Sequence, residues 1–182
     1  MKLFDSHCHL DDPSFQNHLA AVLERAEAEN VLGMMIVGID VKTARKAISI
    51  ADGRKGIITS VGIHPHDARH CSEADITTLI QLAQHHDCVR AWGETGLDFN
   101  RMFSPQKDQE ACFIRQLETA GALDLPLIFH ERDSNGRFLE LLRHHGPETR
   151  KGVVHCFSGT KKELFEYLDL GYYIGITGIL TL

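Results

Sequence analysis

The chain has 182 residues with 43% hydrophobic and 24% charged side chains, enough for one soluble domain with a substantial core. The formal net charge of −6 argues against a broad basic grip on nucleic acid, although bound cations can supply positive charge locally. No apolar run approaches a membrane span, and residues 1–5 run into a strand without a signal-peptide core. Five scattered cysteines with no C-x-x-C pair point to a reducing, cytosolic setting and away from a disulfide framework or structural zinc.

In chain order, short apolar or β-branched runs predict strands over residues 2–6, 33–38, 56–63, 88–94, 126–130, 152–155 and 172–176. Several are almost continuously apolar, as parallel strands covered on both faces are. Helical periodicity lies between them. Residues 18–29 place Leu19, Val22, Leu23 and Ala26 on one face, and residues 76–83 do the same with Ile76, Leu79, Ile80 and Ala83. Ser72 with Asp75, and Thr160 with Glu163, have capping-box spacing, and Ser104-Pro105 puts proline at a first helical position. The pairs His85-His86 and His144-His145 fall at helix ends, where the dipole favours positive charge. Strand–helix alternation without linker or repeat predicts a single α/β domain over residues 1–182 with parallel strands. No G-x-G-x-x-G follows the first strand, so a dinucleotide-binding sheet is disfavoured.

The polar residues favour a barrel. His7 and His9 are two apart at the end of the first strand, so their rings share a face while Cys8 points away. Gly62-Ile-His64-Pro-His66-Asp67 ends the third strand, Glu94 the fourth, His130 the fifth and His155 the sixth. All lie at strand carboxyl ends, where barrel enzymes build their sites. Ile128 and Val153 are expected to share the inward face with His130 and His155, leaving Leu127, Phe129, Val154 and Cys156 toward the helices.

The ring of His7, His9, Glu94, His130 and His155 therefore reads as a divalent-metal site. The His pair would hold one ion and His130 with His155 a second, with Glu94 bridging from a glycine-flanked position that has open space around it. Arg132 could meet a phosphate with its planar fork, or pair with Glu131 or Asp133. His64 and His66 could contact substrate or move protons, and Asp98 could orient a ligand or start a helix. The cysteines read as small apolar fillers.

Five motifs carry a resemblance over essentially the whole chain: His7-Cys-His9-Leu10, Gly62-Ile-His64-Pro-His66-Asp67, Gly93-Glu94-Thr-Gly-Leu-Asp98-Phe99, His130-Glu-Arg132-Asp133 and His155-Cys-Phe-Ser-Gly159. In order and spacing they resemble the TatD family of metal-dependent deoxyribonucleases. The resemblance implies an amidohydrolase-type, TIM-like β/α barrel that hydrolyses phosphodiester bonds in DNA, with 3′-to-5′ exonuclease activity on single strands or 3′ ends in some members. It implies two divalent ions, Mg²⁺ or Mn²⁺ with Zn²⁺ admissible. His7, His9, Glu94, His130 and His155 would be the ligands, and His64, His66 and Arg132 the substrate-side groups.

The family also has an eighth strand with a Thr-Asp-Ala-Pro-type motif, which this sequence lacks. The expectation is a barrel truncated after its seventh strand, with the edges of the first and seventh strands unpaired and a dimerisation liability. Two other readings stay open. One is an amidohydrolase acting on a carbon–nitrogen or lactone bond, for which Glu94 stands where many such enzymes have a modified lysine. The other is a weakly active, truncated metal-binding protein.

Overall fold

The computed structural model describes residues 1–149 and 151–181, with the side chains of Ile179 and Leu180 excepted. Leu182, the expected end of the domain, lies outside the described residues. Seven parallel strands follow one another across a single sheet: β1 (Leu3–Cys8), β2 (Val31–Val37), β3 (Ile57–Val61), β4 (Val89–Asp98), β5 (Leu127–Arg132), β6 (Gly152–His155) and β7 (Tyr173–Ile174). Sequential order with helical crossovers makes the sheet curl into part of a TIM-like barrel. The helices are α1 (Leu19–Ala28), α2 (Val41–Ala51), α3 (Glu73–His85), α4 (Gln106–Ala122), α5 (Arg137–His145) and α6 (Lys161–Asp169).

The two faces of the sheet sort as the alternation requires. Leu127, Phe129 and Val154 join the large core beneath the helices, whereas Val37, Ala91 and Ile128 form a separate inner cluster with Met35 and Val153 against it. Ser6, Met35, Ala91, Ile128, Val153 and Ile176 border an inner cavity of about 700 Å³. Leu19, Val22, Leu23 and Ala26 of α1 pack on Met34, Ile36, Ala47 and Ile50, as their spacing predicts. The capping boxes of α3 and α6 both form, and α2 starts with another, from Asp40 and Thr43.

Three expectations change. Pro105 is the N-cap of α4, not its first helical residue; Ser104 is buried, donating to the His66 carbonyl at 2.7 Å and accepting the Arg69 N–H at 3.0 Å. The seventh strand contracts to Tyr173–Ile174. The fourth does not end at Glu94 but continues to Asp98, so Gly96 lies inside the strand. Gly93 and Gly96 have φ of +138° and +149°, a region that side chains oppose. A Cβ on Gly93 would strike Ile128, and one on Gly96 the His130 carbonyl oxygen. The glycines thus bring β5 close rather than leave open space, and a register shift between Trp92 and Thr95 falls where Glu94 sits. Among the described residues β1 and β7 end the sheet, with Leu3, Phe4 and Tyr173 exposed, and no helix is long and apolar enough to cross a membrane.

Candidate metal centre

Glu94 leaves the middle of β4 for the barrel axis and is 4% exposed. One carboxylate oxygen lies 3.3 Å from His7 Nε2, and the other 3.0 Å from His130 Nδ1 and 3.8 Å from His64 Nε2. Burial works to protonate Glu94, but hydrogen bonds with His130 and His7 hold its carboxyl well below the usual range. It is a buried, ionised carboxylate with an imidazole on each side.

The strands deliver the imidazoles as their periodicity demands. His7 projects from β1 beside Glu94, and Cys8 turns away, its thiol donating to the Met35 carbonyl at 3.2 Å. Burial pushes that thiol up to about 12, leaving it an inert filler. His130 and His155 are register partners on β5 and β6. His155 nonetheless packs flat on His7, with centroids 3.4 Å apart and planes at 12°. Burial and the neighbouring His7 push His155 down to about 4, and burial pushes His64 down to about 3, so both rings are neutral near pH 7. His130 moves the other way: burial opposes its charge, but its hydrogen bond to Glu94 raises it.

Imidazoles around an ionised carboxylate are the donor set a divalent cation takes, its binding displacing any proton they hold. Two groups of three donors lie within 4.8 Å of one another: His7, His9 and Glu94, and His64, His66 and His130. The first fits a cation well, and His7 Nδ1 is buried without a hydrogen-bond partner. The second is partly committed. His64 Nδ1 accepts the His66 N–H at 3.1 Å, which places the proton of the neutral ring on Nε2 and makes it a donor into the site. His66 Nε2 meets Asp98 Oδ2 at 2.8 Å. His64 thus points a donor, not a lone pair, into the site.

Arg132 is exposed at the end of β5. The acids beside it are engaged elsewhere, Glu131 with Ser134 at 2.8 Å and Asp133 with Asn100 at 2.7 Å, which leaves the guanidinium at the rim. His85, His86, His144 and His145 sit at the ends of α3 and α5.

Asp98, open in the sequence between orienting a ligand and starting a helix, ends β4 before α4 begins and is 1% exposed. Other buried polar residues escape a sequence reading. Asp11 is buried beside His9 with Oδ1 unpartnered, and burial raises its carboxyl. Gln116 is buried; it accepts from the Ile63 N–H at 2.8 Å and Trp92 Nε1 at 3.1 Å, and donates to the Ile63 carbonyl at 2.9 Å. It thereby fixes the residue before His64. The only signal in the sequence was its spacing with Gln109 along one helix face.

A curled parallel β/α sheet with a carboxylate and a ring of imidazoles at its strand ends defines a metal-dependent hydrolase of the TIM-barrel type. The family model of the TatD related DNases matches residues 4–182, and the chain belongs to that family. It is 41% identical over 177 residues to a 3′-5′ ssDNA/RNA exonuclease TatD of Musicola paradisiaca (strain Ech703), covering 97% of this chain and 67% of that protein. It is 39% identical over 176 residues to the protein of the same name from Klebsiella pneumoniae (strain 342), covering 97% and 66%. The chain thus spans about two thirds of the length of these curated relatives.

Among solved structures, the TatD homologue YJJV of Escherichia coli k12 superposes with a TM-score of 0.89 at 30% identity, over 99% of this chain and 70% of that one. A TatD family hydrolase from Entamoeba histolytica gives 0.89 at 28%, over 98% and 65%.

Proposed function

We propose that the protein hydrolyses phosphodiester bonds in DNA, removing nucleotides from single-stranded 3′ ends, with two divalent cations, Mg²⁺ or Mn²⁺, held at the barrel mouth. The observation that carries this reading is Glu94: buried, ionised and in contact with His7 on one side and His130 on the other. His7 and His9 with Glu94 would hold one ion, and His130 and His155 with Glu94 the other. The relatives named as 3′-5′ ssDNA/RNA exonucleases support the substrate class.

Bound cations would acidify a water and neutralise charge on the phosphate. The chain's own groups do the rest. His64 presents its Nε2–H toward the Glu94 carboxylate, where a substrate oxygen can accept it. Arg132 at the rim meets a neighbouring phosphate with its fork. Burial of Glu94 and His64 keeps bulk water from the reacting centre. A net charge of −6 makes the cations, not a basic surface, the attraction for the backbone. Five free thiols and the bacterial relatives support a cytoplasmic location.

The test is release of nucleotides from a 3′-labelled single-stranded oligonucleotide with Mg²⁺ or Mn²⁺, before and after chelation. Glu94→Gln should lower the rate at least about 100-fold while the fold is kept. Chelator-insensitive cleavage, or wild-type activity in Glu94→Gln, would overturn the proposal.

A further inference from the structure

Two cysteines that the proposed chemistry does not use meet beside the barrel mouth. Cys71 ends the short 3₁₀ helix Pro65–His70, whose second residue is His66. Cys112 lies within α4 and is 5% exposed. The two thiols are hydrogen-bonded to each other. Both line a surface cleft of about 280 Å³ between the 3₁₀ helix, the start of α3 and α4. Cys71 is partly buried against the core that contains Cys112, so the cleft admits a small oxidant to its sulfur. Cys112 is tied to the site as well. Its Sγ accepts from Gln116 Nε2 at 3.2 Å, and that same nitrogen donates to the carbonyl of Ile63, the residue before His64. The 3₁₀ helix is pinned in its turn by Ser104, which accepts the Arg69 N–H and donates to the His66 carbonyl. These two cysteines are therefore more than the apolar fillers their sequence context suggests.

We propose that Cys71 and Cys112 form a reversible disulfide when a peroxide enters the cleft, and that Gln116 carries the change to the chain before His64. In a reducing compartment such a bond is transient and sensing rather than structural. The two sulfurs are unequal. The hydrogen bond from Cys112 lowers the Cys71 thiol, opposed by burial and by Asp75 and Glu73, and helped by Arg115. The same hydrogen bond, with burial, pushes Cys112 up. Cys71 is thus the attacking thiolate and Cys112 the resolving thiol. The Cys71 sulfur bonds to one peroxide oxygen, the O–O bond breaks and hydroxide leaves, making Cys71 a sulfenic acid. Hydroxide takes the Cys112 proton, the Cys112 sulfur attacks Cys71, and the S–O bond breaks with loss of a second hydroxide. That hydroxide recovers the proton Cys71 first gave up. Two thiols have then lost two electrons, and peroxide has become two waters. The sulfurs close to about 2 Å. Cys112 Sγ is drawn off Gln116, and the end of the 3₁₀ helix is drawn toward α4.

The test starts with reduced, folded protein treated with hydrogen peroxide and then alkylated. Peptide mass spectrometry should find Cys71 joined to Cys112, two hydrogens lighter, and parted again by dithiothreitol. Recovery of both residues alkylated, or of Cys71 as sulfinic acid without the link, would overturn the proposal. Trp92 reads the transmission, since its Nε1–H bonds to Gln116 Oε1 at 3.1 Å and it is the single tryptophan. Its emission should shift on oxidation, return with dithiothreitol and stay constant in Cys71→Ser. A cross-linked protein with unshifted emission removes the role given to Gln116. If Cys71→Ser does not fold, reversal by dithiothreitol in the wild type is the control. Neither readout depends on the protein's being a nuclease.

Discussion

Gln116→Met isolates the buried polar clamp behind His64. Methionine keeps the length and approximate volume of glutamine, so no large cavity opens and the loss is polar. Three backbone or indole groups lose their partner together: the Ile63 N–H at 2.8 Å, the Trp92 Nε1–H at 3.1 Å and the Ile63 carbonyl at 2.9 Å. All are buried, Trp92 completely and Ile63 to 4% exposure, so water cannot replace the amide. Each orphaned buried group costs about 1–3 kcal/mol, and the methionine side chain regains roughly 1 kcal/mol by its apolar burial. The net loss should be about 2–8 kcal/mol, a large share of the ~5–15 kcal/mol that holds an ordinary domain. Urea unfolding followed by tryptophan fluorescence measures it directly, since Trp92 is the single tryptophan and reports its own site. The midpoint should fall with the slope unchanged. A loss under about 1 kcal/mol would refute the argument that these groups depend on Gln116.

Gly96→Ala should be among the most damaging small substitutions, costing more than about 3 kcal/mol or abolishing folding, because its methyl meets the His130 carbonyl and its φ is +149°; near-wild-type thermal unfolding would contradict this. Mn²⁺ at about 100 times its Kd should add about 2.7 kcal/mol of stability, removed by chelator, and an unchanged melting temperature would count against a resident cation. Acid should weaken the metal-free protein. His64 and His155 have folded pKa values of about 3 and about 4, so between those values and about 6.5 the unfolded chain binds the extra protons and stability rises with pH. Each then costs about 1 kcal/mol on going from pH 7.5 to 5.5, partly offset by His130, whose raised pKa acts in the opposite sense. The melting temperature should drop by about 3 °C over that range, less in His64→Gln; a flat or rising profile would remove the case for neutral buried rings.

What the sequence disclosed was governed by the period of two. That alternation set His7 beside the axis and Cys8 away from it, and sorted Ile128 and Val153 from Leu127 and Phe129. It also put His7, Glu94 and His130 at one end of the sheet, where they meet. Partners were harder. Gln109 and Gln116 look like ordinary polar residues, because what they bind is backbone contributed by other segments. The glycines around Glu94 misled for a related reason. Open space for a ligand and a neighbouring backbone packed close by both call for a missing Cβ, and only the packing of β5 separates them. The stacking of His155 on His7 was equally hidden, since it depends on how tightly the sheet curls.

That stack has a mechanical meaning. His7 comes from β1 and His155 from β6, so the two rings touch across nearly the whole length of the chain. Anything that grips both, directly or through Glu94, cinches the sheet like a drawstring. Closing so long a loop carries an entropic cost only slightly above that of a short one, but a ligand there tethers strands from opposite ends of the chain. Occupancy should therefore be felt first in the hydrogen exchange of β1, the outermost strand on that side, well away from any substrate.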